Sequence, residues 1–154
     1  MSLEEFKIID AKTLPVGKLI TMISRGHTIY LNHHLEEYGI NASQLHLLFE
    51  ISHQKNINQE KIATRCNINK GAVARSIRKL EEKGLVTRQI DDAHRRQNII
   101  SLTDKGEETL TESINLLNKW EKEVFDQNII EKELLQKALK AIAIKTMELN
   151  LKGD

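Results

Sequence analysis

The stretch "NINKGAVARSIRKLEEKGLVTRQIDDAHRRQNIISLT", residues 67–103, decides the fold. Asn69 is a suitable helix cap, and an amphipathic helix follows it to Lys83, where Gly84 supplies the stop. After Gly84 the apolar spacing changes to a period of two in "LVTRQI" and in "RRQNIISL", with the polar turn "DDAH" between the two runs. The stretch therefore predicts a helix followed directly by a β-hairpin.

Three helices are predicted before this stretch. Pro15 opens the first, whose apolar residues recur at helical spacing until Gly39. Asn41, with Gln44 three residues on, caps the second, and Asn58 caps the short third helix "QEKIATRC". Because only "NIN" separates the third helix from the fourth, the pair has the geometry of a helix-turn-helix.

Two further helices are predicted after the hairpin. Thr103 caps the fifth, with acids in its first turn, and a break near "DQNII" separates it from the sixth. The predicted fold class is mainly α with a small β-hairpin wing, that is, a winged helix-turn-helix with additional N- and C-terminal helices.

The positive charge is concentrated in the middle of the chain. The net charge is +1, but residues 55–100 hold 11 Lys and Arg against 5 Asp and Glu, and the remainder holds 12 against 17. A basic centre between acidic flanks indicates a localised surface for an anionic partner.

Composition narrows the class of protein. Apolar residues make up 40% of the 154 residues, charged residues make up 29%, and no apolar run is long enough for a membrane span. The acidic start "MSLEEFKIID" lacks the features of a signal peptide, and the single Cys66 cannot form an internal disulfide. These features predict a cytoplasmic protein with no membrane partner.

The fourth helix has the two faces of a DNA reader. Val73, Ile77 and Leu80 fall on one side and are expected to pack on the core. A helix that enters the major groove needs one apolar side that packs on the core. Its opposite side needs hydrogen-bond donors or small residues that fit the groove. The front face carries Lys70, Gly71, Ala72, Arg75, Ser76 and Lys79.

Each polar residue of this helix has a predicted role. Arg75 is the first choice for a guanine contact because its planar fork can bond O6 and N7 together. Ser76 is expected to form a hydrogen bond with a base or a phosphate. Phosphate contacts, which position a protein without reading sequence, are expected from Lys70, Arg78 and Lys79. Asn69 and Arg88 complete the predicted DNA-binding set along the chain.

The hairpin turn carries a second predicted contact. Arg95 and Arg96 follow "DDAH", and an arginine at a hairpin tip can enter the minor groove. Asp91 or Asp92 can brace that arginine through a charge-assisted bond. An exposed basic hairpin with ordinary surface ion pairs is the alternative.

These residues resemble the multiple-antibiotic-resistance regulator (MarR) family of transcription factors. The segment "NKGAVARSIRKLEEKGLV" is similar to its recognition helix, and "DDAHRRQNIISLTDKG" is similar to its wing and the start of its next helix. The segments "GINASQLHLLFEIS" and "INQEKIATRCNI" match the two helices before it. The chain departs from the family pattern at His94, where an aspartate usually precedes the arginine pair and braces the wing, and at Gly71 and Ala72, where many members carry hydroxyls.

The resemblance implies a homodimer that presents two winged units to a pseudo-palindromic operator. The implied organisation is an N-terminal dimerisation helix at 1–38, a DNA-binding domain at 39–103 and C-terminal dimerisation helices at 104–154. The wide apolar stripes of the terminal helices independently favour a dimer. The resemblance also implies a repressor that a small aromatic or phenolic anion releases from DNA. Candidate residues for that ligand are Arg25, His27, Tyr30, His34 and His46.

Other readings remain open. Several histidines and acids near the end of the first helix allow a metal sensor, although no set of ligands with convincing spacing is found, and Cys66 allows a redox switch. A winged-helix module that binds protein instead of nucleic acid is a third alternative. An enzyme is not predicted, because no nucleophile elbow, phosphate-binding loop or metalloprotease pair is present. No cofactor is predicted.

Overall fold

The computed structural model describes residues 1–90, 93, 98–125 and 128–151. The described part is mainly helical with one two-stranded antiparallel sheet, so the predicted fold class is confirmed. Short 3₁₀ turns lie at Ala11–Thr13 and Glu36–Tyr38. The helices and strands are α1 (Leu3–Lys7), α2 (Val16–Leu35), α3 (Ala42–His53), α4 (Gln59–Cys66), α5 (Lys70–Glu82), β1 (Val86–Ile90), β2 (Asn98–Leu102), α6 (Asp104–Val124) and α7 (Lys132–Leu151).

The predicted asparagine caps start α3, α4 and α5. The side chain of Asn41 accepts a hydrogen bond from the backbone N–H of Gln44 at 2.9 Å, and the Gln44 side chain accepts one in return. Asn58 caps α4 through the N–H of Lys61 at 2.8 Å, and Asn69 caps α5. Each cap satisfies a backbone donor that has no partner inside the helix, so the predicted starts are confirmed.

The first helices differ from the prediction at their ends. Helix α2 begins at Val16, with Pro15 as its cap residue, and ends at Leu35, so a 3₁₀ turn separates it from Gly39. Gly39 has a φ of 66°, the left-handed conformation that ends the turn. Helix α1 was not predicted, although Ser2 and Glu5 form a capping box at its start.

The apolar face of α5 lies in the core, as predicted. Val73, Ile77 and Leu80 are each at most 1% exposed. Helices α3, α4 and α5 and the hairpin supply most of the other fully buried side chains, among them Leu48 and Ile62. The core therefore holds α5 from behind and fixes which side of the helix faces solvent.

The hairpin strands pair in register from Val86 opposite Leu102 to Ile90 opposite Asn98. Ile57, which precedes α4, adds an isolated bridge to this sheet, because the Ile100 N–H donates to its carbonyl at 2.8 Å. The predicted hairpin is confirmed in its strands.

A short hydrogen-bonded junction joins the start of α6 to the start of the hairpin. The Thr103 hydroxyl donates to the Gly84 carbonyl at 2.6 Å, and the Thr103 N–H donates to the Leu85 carbonyl at 3.0 Å. The same hydroxyl accepts from the Gly106 N–H at 3.0 Å, so Thr103 caps α6 as predicted. Gly106 is buried, and a Cβ built on it would overlap the carbonyl oxygen of Leu85. Only glycine allows this approach.

The chain divides into two compact units. The first comprises Met1–Ile114 and holds the helix-turn-helix, the hairpin and the first half of α6, and the second comprises Asn115–Asp154. In the second unit Trp120 and Phe125 meet edge to face with ring centroids 5.7 Å apart, and Lys132 pairs with Glu121. The functional division at 38/39 and 103/104 stays a prediction. None of the described helices is both long and apolar enough to cross a bilayer.

We predict that Gly106→Ala destabilises the protein, because its Cβ would overlap backbone that cannot move without breaking the junction at Thr103. The expected loss is about 3 kcal/mol in the free energy of unfolding, measured in urea, at the upper end of typical overpacking costs. Gly26→Ala is the control, because a Cβ at Gly26 meets nothing within 4 Å and lies inside α2. The control should be neutral or more stable by up to about 1 kcal/mol. Equal stabilities of the two variants would refute the constraint at Gly106.

Candidate nucleic-acid interface

Helix α5 turns its cationic side to solvent, because its apolar side is buried. Lys70, Gly71, Arg75 and Lys79 are exposed. Ala72 and Ser76 are half-buried at the border between the two faces, and Arg78 is exposed on the adjoining side. The predicted division of α5 into an anchored face and a polar face is therefore confirmed.

The N-terminus of α5 is closed by its own cap. The Asn69 side-chain oxygen accepts from the Gly71 N–H at 2.8 Å and from the Ala72 N–H at 3.4 Å. A Cβ at Gly71 would lie 3.1 Å from that oxygen and 3.5 Å from Nη1 of Arg75. Glycine thus leaves room for the cap and for the Arg75 guanidinium. The oxygen of Asn69 is engaged in holding the helix start.

Two of the α5 cations have carboxylate partners. Lys70 donates to Glu60 of α4 at 2.6 Å, and Arg78 pairs with Glu82 one turn on at 3.0 Å. The hydrogen bond from the Lys70 ammonium, together with its charge, holds the pKa of the Glu60 carboxyl below its ordinary value. All four side chains are well exposed, so these pairs are screened by water and can exchange their partners.

Arg75 and Lys79 have no carboxylate within ion-pairing distance in the part of the chain that the structure describes. Among the described residues, no charge compensates these two cations on the exposed face. The described geometry leaves these two side chains available to an external anion.

Arg88 differs from the other predicted contacts because its side chain is only 26% exposed. Its Nε donates to Glu81 at 3.0 Å and its Nη1 donates to Gln59 at 2.9 Å. The guanidinium thus contacts two neighbouring elements of the fold. Sequence reasoning missed both partners, because no periodic spacing connects them to Arg88.

The predicted wing residues Asp91, Asp92, His94, Arg95 and Arg96 lie outside the described residues. Their roles stay predictions.

Cys66 closes α4 and is half-buried. Burial raises the pKa of its thiol, and Glu50 acts in the same direction, while Arg65 opposes them. A raised pKa leaves the thiol protonated at neutral pH, and the thiolate is the form that reacts. The redox reading is therefore not favoured by the surroundings of Cys66.

The candidate ligand residues are partly brought together. Tyr30 and His34 stack with ring centroids 4.2 Å apart, and Nδ1 of His34 lies 3.0 Å from the Tyr30 carbonyl oxygen. Arg25 is exposed and His27 is half-buried on the same helix, and His46 is exposed on α3. Among the described residues, no group of three His, Cys, Asp or Glu side chains is arranged to hold a metal ion.

A cleft of about 540 Å³ opens beside the hairpin, between the end of α3 and the start of α6. Its floor is apolar, with Ile51, Ile100 and Leu110, and its rim is polar, with Lys55 and Glu107. None of the five candidate ligand residues lines it. The predicted effector site and this cleft are therefore different places.

The fold and this surface match one family of known proteins. The model of the MarR family matches residues 40–97, which include the helix-turn-helix and the first strand of the hairpin. A crystal structure of MarR matches with a TM-score of 0.80 at 27% identity, covering 94% of this chain and 98% of that one. This chain is therefore similar to the MarR family in the sequence of its helix-turn-helix and in its fold.

Two further proteins are similar. The HTH-type transcriptional regulator BilQ of Clostridium symbiosum (strain WAL-14163) is 27% identical over 104 residues, which are 68% of this chain and 72% of BilQ. A complex of S. aureus MepR with DNA shares the fold with a TM-score of 0.75 at 23% identity, covering 88% of this chain and 98% of MepR. Members of the MarR family are DNA-binding transcriptional regulators and not enzymes, so the fold and the names of these relatives support a winged-helix DNA-binding regulator.

We predict that Glu60→Gln tightens binding to duplex DNA by about threefold at low salt, because an exposed ion pair of this kind competes weakly for Lys70. The measurement is a titration of labelled duplex by fluorescence anisotropy. In a Lys70→Ala background the same change should give no gain. A gain of equal size in both backgrounds would mean that Glu60 repels DNA directly and that Lys70 is not its target.

Proposed function

We propose that this protein is a member of the MarR family and acts as a homodimeric repressor. Two copies of α5 enter successive major grooves of a pseudo-palindromic operator, and a small aromatic or phenolic anion releases the protein. The proposed site of action is the cytoplasm. The observation that carries the proposal is the division of α5: Val73, Ile77 and Leu80 are buried, and Arg75 and Lys79 face solvent with no carboxylate partner in the described part of the chain.

The two cations support different parts of the binding. Arg75 lies beside Gly71, near the start of the helix, and the first residues of a recognition helix reach the base edges. Lys79 lies one turn further along and suits a phosphate. The fold is shared with MepR, which has been crystallised with DNA, and this likeness supports the same use of the fold here.

Dimerisation is supported by apolar surface that each unit leaves uncovered. Helix α7 has 20 residues, none of which is buried. A helix without tertiary packing is only marginally stable in water, so α7 needs a partner. A second copy supplies one with the same apolar stripe, and a two-fold arrangement places two recognition helices about 34 Å apart. The exposed apolar residues are Val16, Ile20, Met22, Ile23 and Ile29 in α2, and Leu134, Leu139, Ile142, Ile144, Met147, Leu149 and Leu151 in α7.

The release step depends on differential affinity. An effector dissociates the complex only to the extent that it prefers the form that does not fit the operator. The stacked pair of Tyr30 and His34 offers an aromatic surface, and Arg25 on the same helix offers a cation for a carboxylate or phenolate. These features support an aromatic anion as the effector.

We predict that Arg75→Ala weakens binding and relaxes base preference at one position of each half-site. A bidentate arginine–guanine contact is worth about 1–3 kcal/mol of discrimination. The operator is first selected from random duplex DNA, and the selection is repeated with the variant and with a panel of aromatic acids. Lys79→Ala is the matched control. Loss of a phosphate contact weakens binding to all DNA sequences alike and makes the slope of log K against log salt shallower by about 0.9. If Arg75→Ala loses affinity equally on all sequences, Arg75 is only a phosphate contact. Failure of the wild-type chain to select any sequence would contradict the proposed function.

We predict that Ile142→Lys dissociates the dimer, because burying a lysine in an apolar interface is costly. The measurement is the mass from sedimentation equilibrium over a range of concentrations. Lys137→Ala, on the same helix and exposed, is the control and should remain dimeric. A wild-type chain that sediments as a single copy at all concentrations rules out the dimer.

A further inference from the structure

Arg88 occupies an unusual place for a cation in a DNA-binding surface. It lies in the middle of β1, opposite Ile100 of β2, and three quarters of its side chain is covered. The sequence groups Arg88 with the DNA contacts, yet its guanidinium is bonded within the protein. A long charged side chain in such a position is ordinarily paired.

The Arg88 guanidinium connects three elements. Its Nε donates to a carboxylate oxygen of Glu81 in α5, at 3.0 Å. Its Nη1 donates to the side-chain oxygen of Gln59, the first residue of α4, at 2.9 Å. One planar group therefore fixes β1 against both helices of the helix-turn-helix. A lysine has a single donor centre and cannot reproduce this fork.

The pair of Arg88 and Glu81 spans the bend between α5 and the hairpin. Gly84 lies between them with a φ of 71°, and glycine imposes little preference of its own on the direction of the chain. Leu85 and Val86 beyond it are buried and hold the start of the strand. The ion pair adds a constraint further along the strand, towards the hairpin turn.

We infer that Arg88 is a positioning residue, which sets the angle between the hairpin and α5 through Glu81 and Gln59 and does not itself contact phosphate. This inference rests on the proposed insertion of α5 and the hairpin into DNA. The hairpin and α5 would enter neighbouring grooves. Binding is tighter when the angle between them is fixed beforehand, since ordering them at the moment of binding lowers the affinity.

Substitution of Glu81 separates positioning from a direct contact because the two roles predict opposite signs. If Arg88 positions the hairpin, Glu81→Ala weakens DNA binding by about threefold to tenfold, as expected for a partly exposed charge-assisted bond. If Arg88 contacts phosphate, the same change removes a negative charge, frees the arginine and strengthens binding.

Glu82→Ala is the matched control. Glu82 is the next residue of α5 and also pairs with an arginine at 3.0 Å, but that partner, Arg78, lies on the same helix and fixes no second element. Glu81→Gln is the conservative variant, because it removes the charge and keeps an oxygen that can accept from Arg88. If Arg88 is a positioning residue, Glu81→Gln retains most of the DNA affinity that Glu81→Ala loses. The same role predicts that Glu82→Ala leaves binding unchanged or tightens it.

The role of Arg88 is tested by the salt dependence of DNA binding and by a double-mutant cycle with Glu81. Arg88→Gln should weaken binding with an unchanged slope of log K against log salt, whereas loss of a phosphate contact makes that slope shallower by about 0.9. The double variant Arg88→Gln with Glu81→Ala should be no weaker than the weaker single variant, because both disrupt one interaction. A shallower slope for Arg88→Gln, additive losses, or tighter binding by Glu81→Ala would each overturn the inference.

A readout without DNA separates this inference from the proposed function. Glu81→Ala should speed amide hydrogen exchange in β1, at Thr87 through Ile90, about threefold or more relative to Glu82→Ala, because the strand loses its attachment to α5. Equal exchange in the two variants overturns the positioning role even if the wild-type chain binds DNA. If the wild-type chain selects no DNA but the exchange difference is present, the proposed function fails and the attachment of the hairpin to α5 by Arg88 stands.

Discussion

The burial of one side of α5 is the constraint on which the DNA-binding surface depends. Val73, Ile77 and Leu80 are removed from water almost completely, which is worth about 1.5–3 kcal/mol for each large side chain. Rotation of the helix about its axis would expose these residues and bury cations in their place. The free energy of packing thus fixes the direction of Arg75 and Lys79, although neither residue takes part in the core.

The elements around α5 hold its two ends. Asn69 caps the start, and at the other end the Lys83 ammonium donates to the Gly39 carbonyl while Lys105 donates to the carbonyl of Lys83 at 3.1 Å. The junction of Thr103 with Gly84 and Leu85 then joins α6 to the end of the helix. Basic side chains thus serve two purposes here, since some face solvent and others bind backbone oxygens that the turns leave unpaired.

The sequence predicts the helix-turn-helix well, because its signals are local. Asn41, Asn58 and Asn69 each precede an amphipathic run, and a cap acts only on the first turn of the helix that follows it. The apolar face of α5 follows from a spacing of three and four residues within one element. The change to a period of two after Gly84 likewise predicts the strands.

Contacts between elements could not be predicted in this way. Lys70 and Glu60 are 10 residues apart, Arg88 and Gln59 are 29 apart, and Lys83 and Gly39 are 44 apart. No periodic spacing links such partners, because their proximity depends on how whole elements pack. The sequence therefore identifies the basic residues of the candidate site, but only the folded chain distinguishes those paired with protein groups from those that face solvent unpaired. The short helix α1 was missed for a different reason: its five residues are too few to show a periodicity.

Helix α7 has a consequence for how the protein responds to its own abundance. None of its 20 residues is buried, so its apolar side chains stay exposed to water in a single copy of the chain. Anything that binds the folded form stabilises it by mass action, and in the proposed dimer the binding partner is another molecule of the same chain. Stability then rises with the amount of protein present. If folding is coupled to formation of that dimer, dilution lowers the folded fraction, so the number of molecules in the cell sets the fraction that is competent to act.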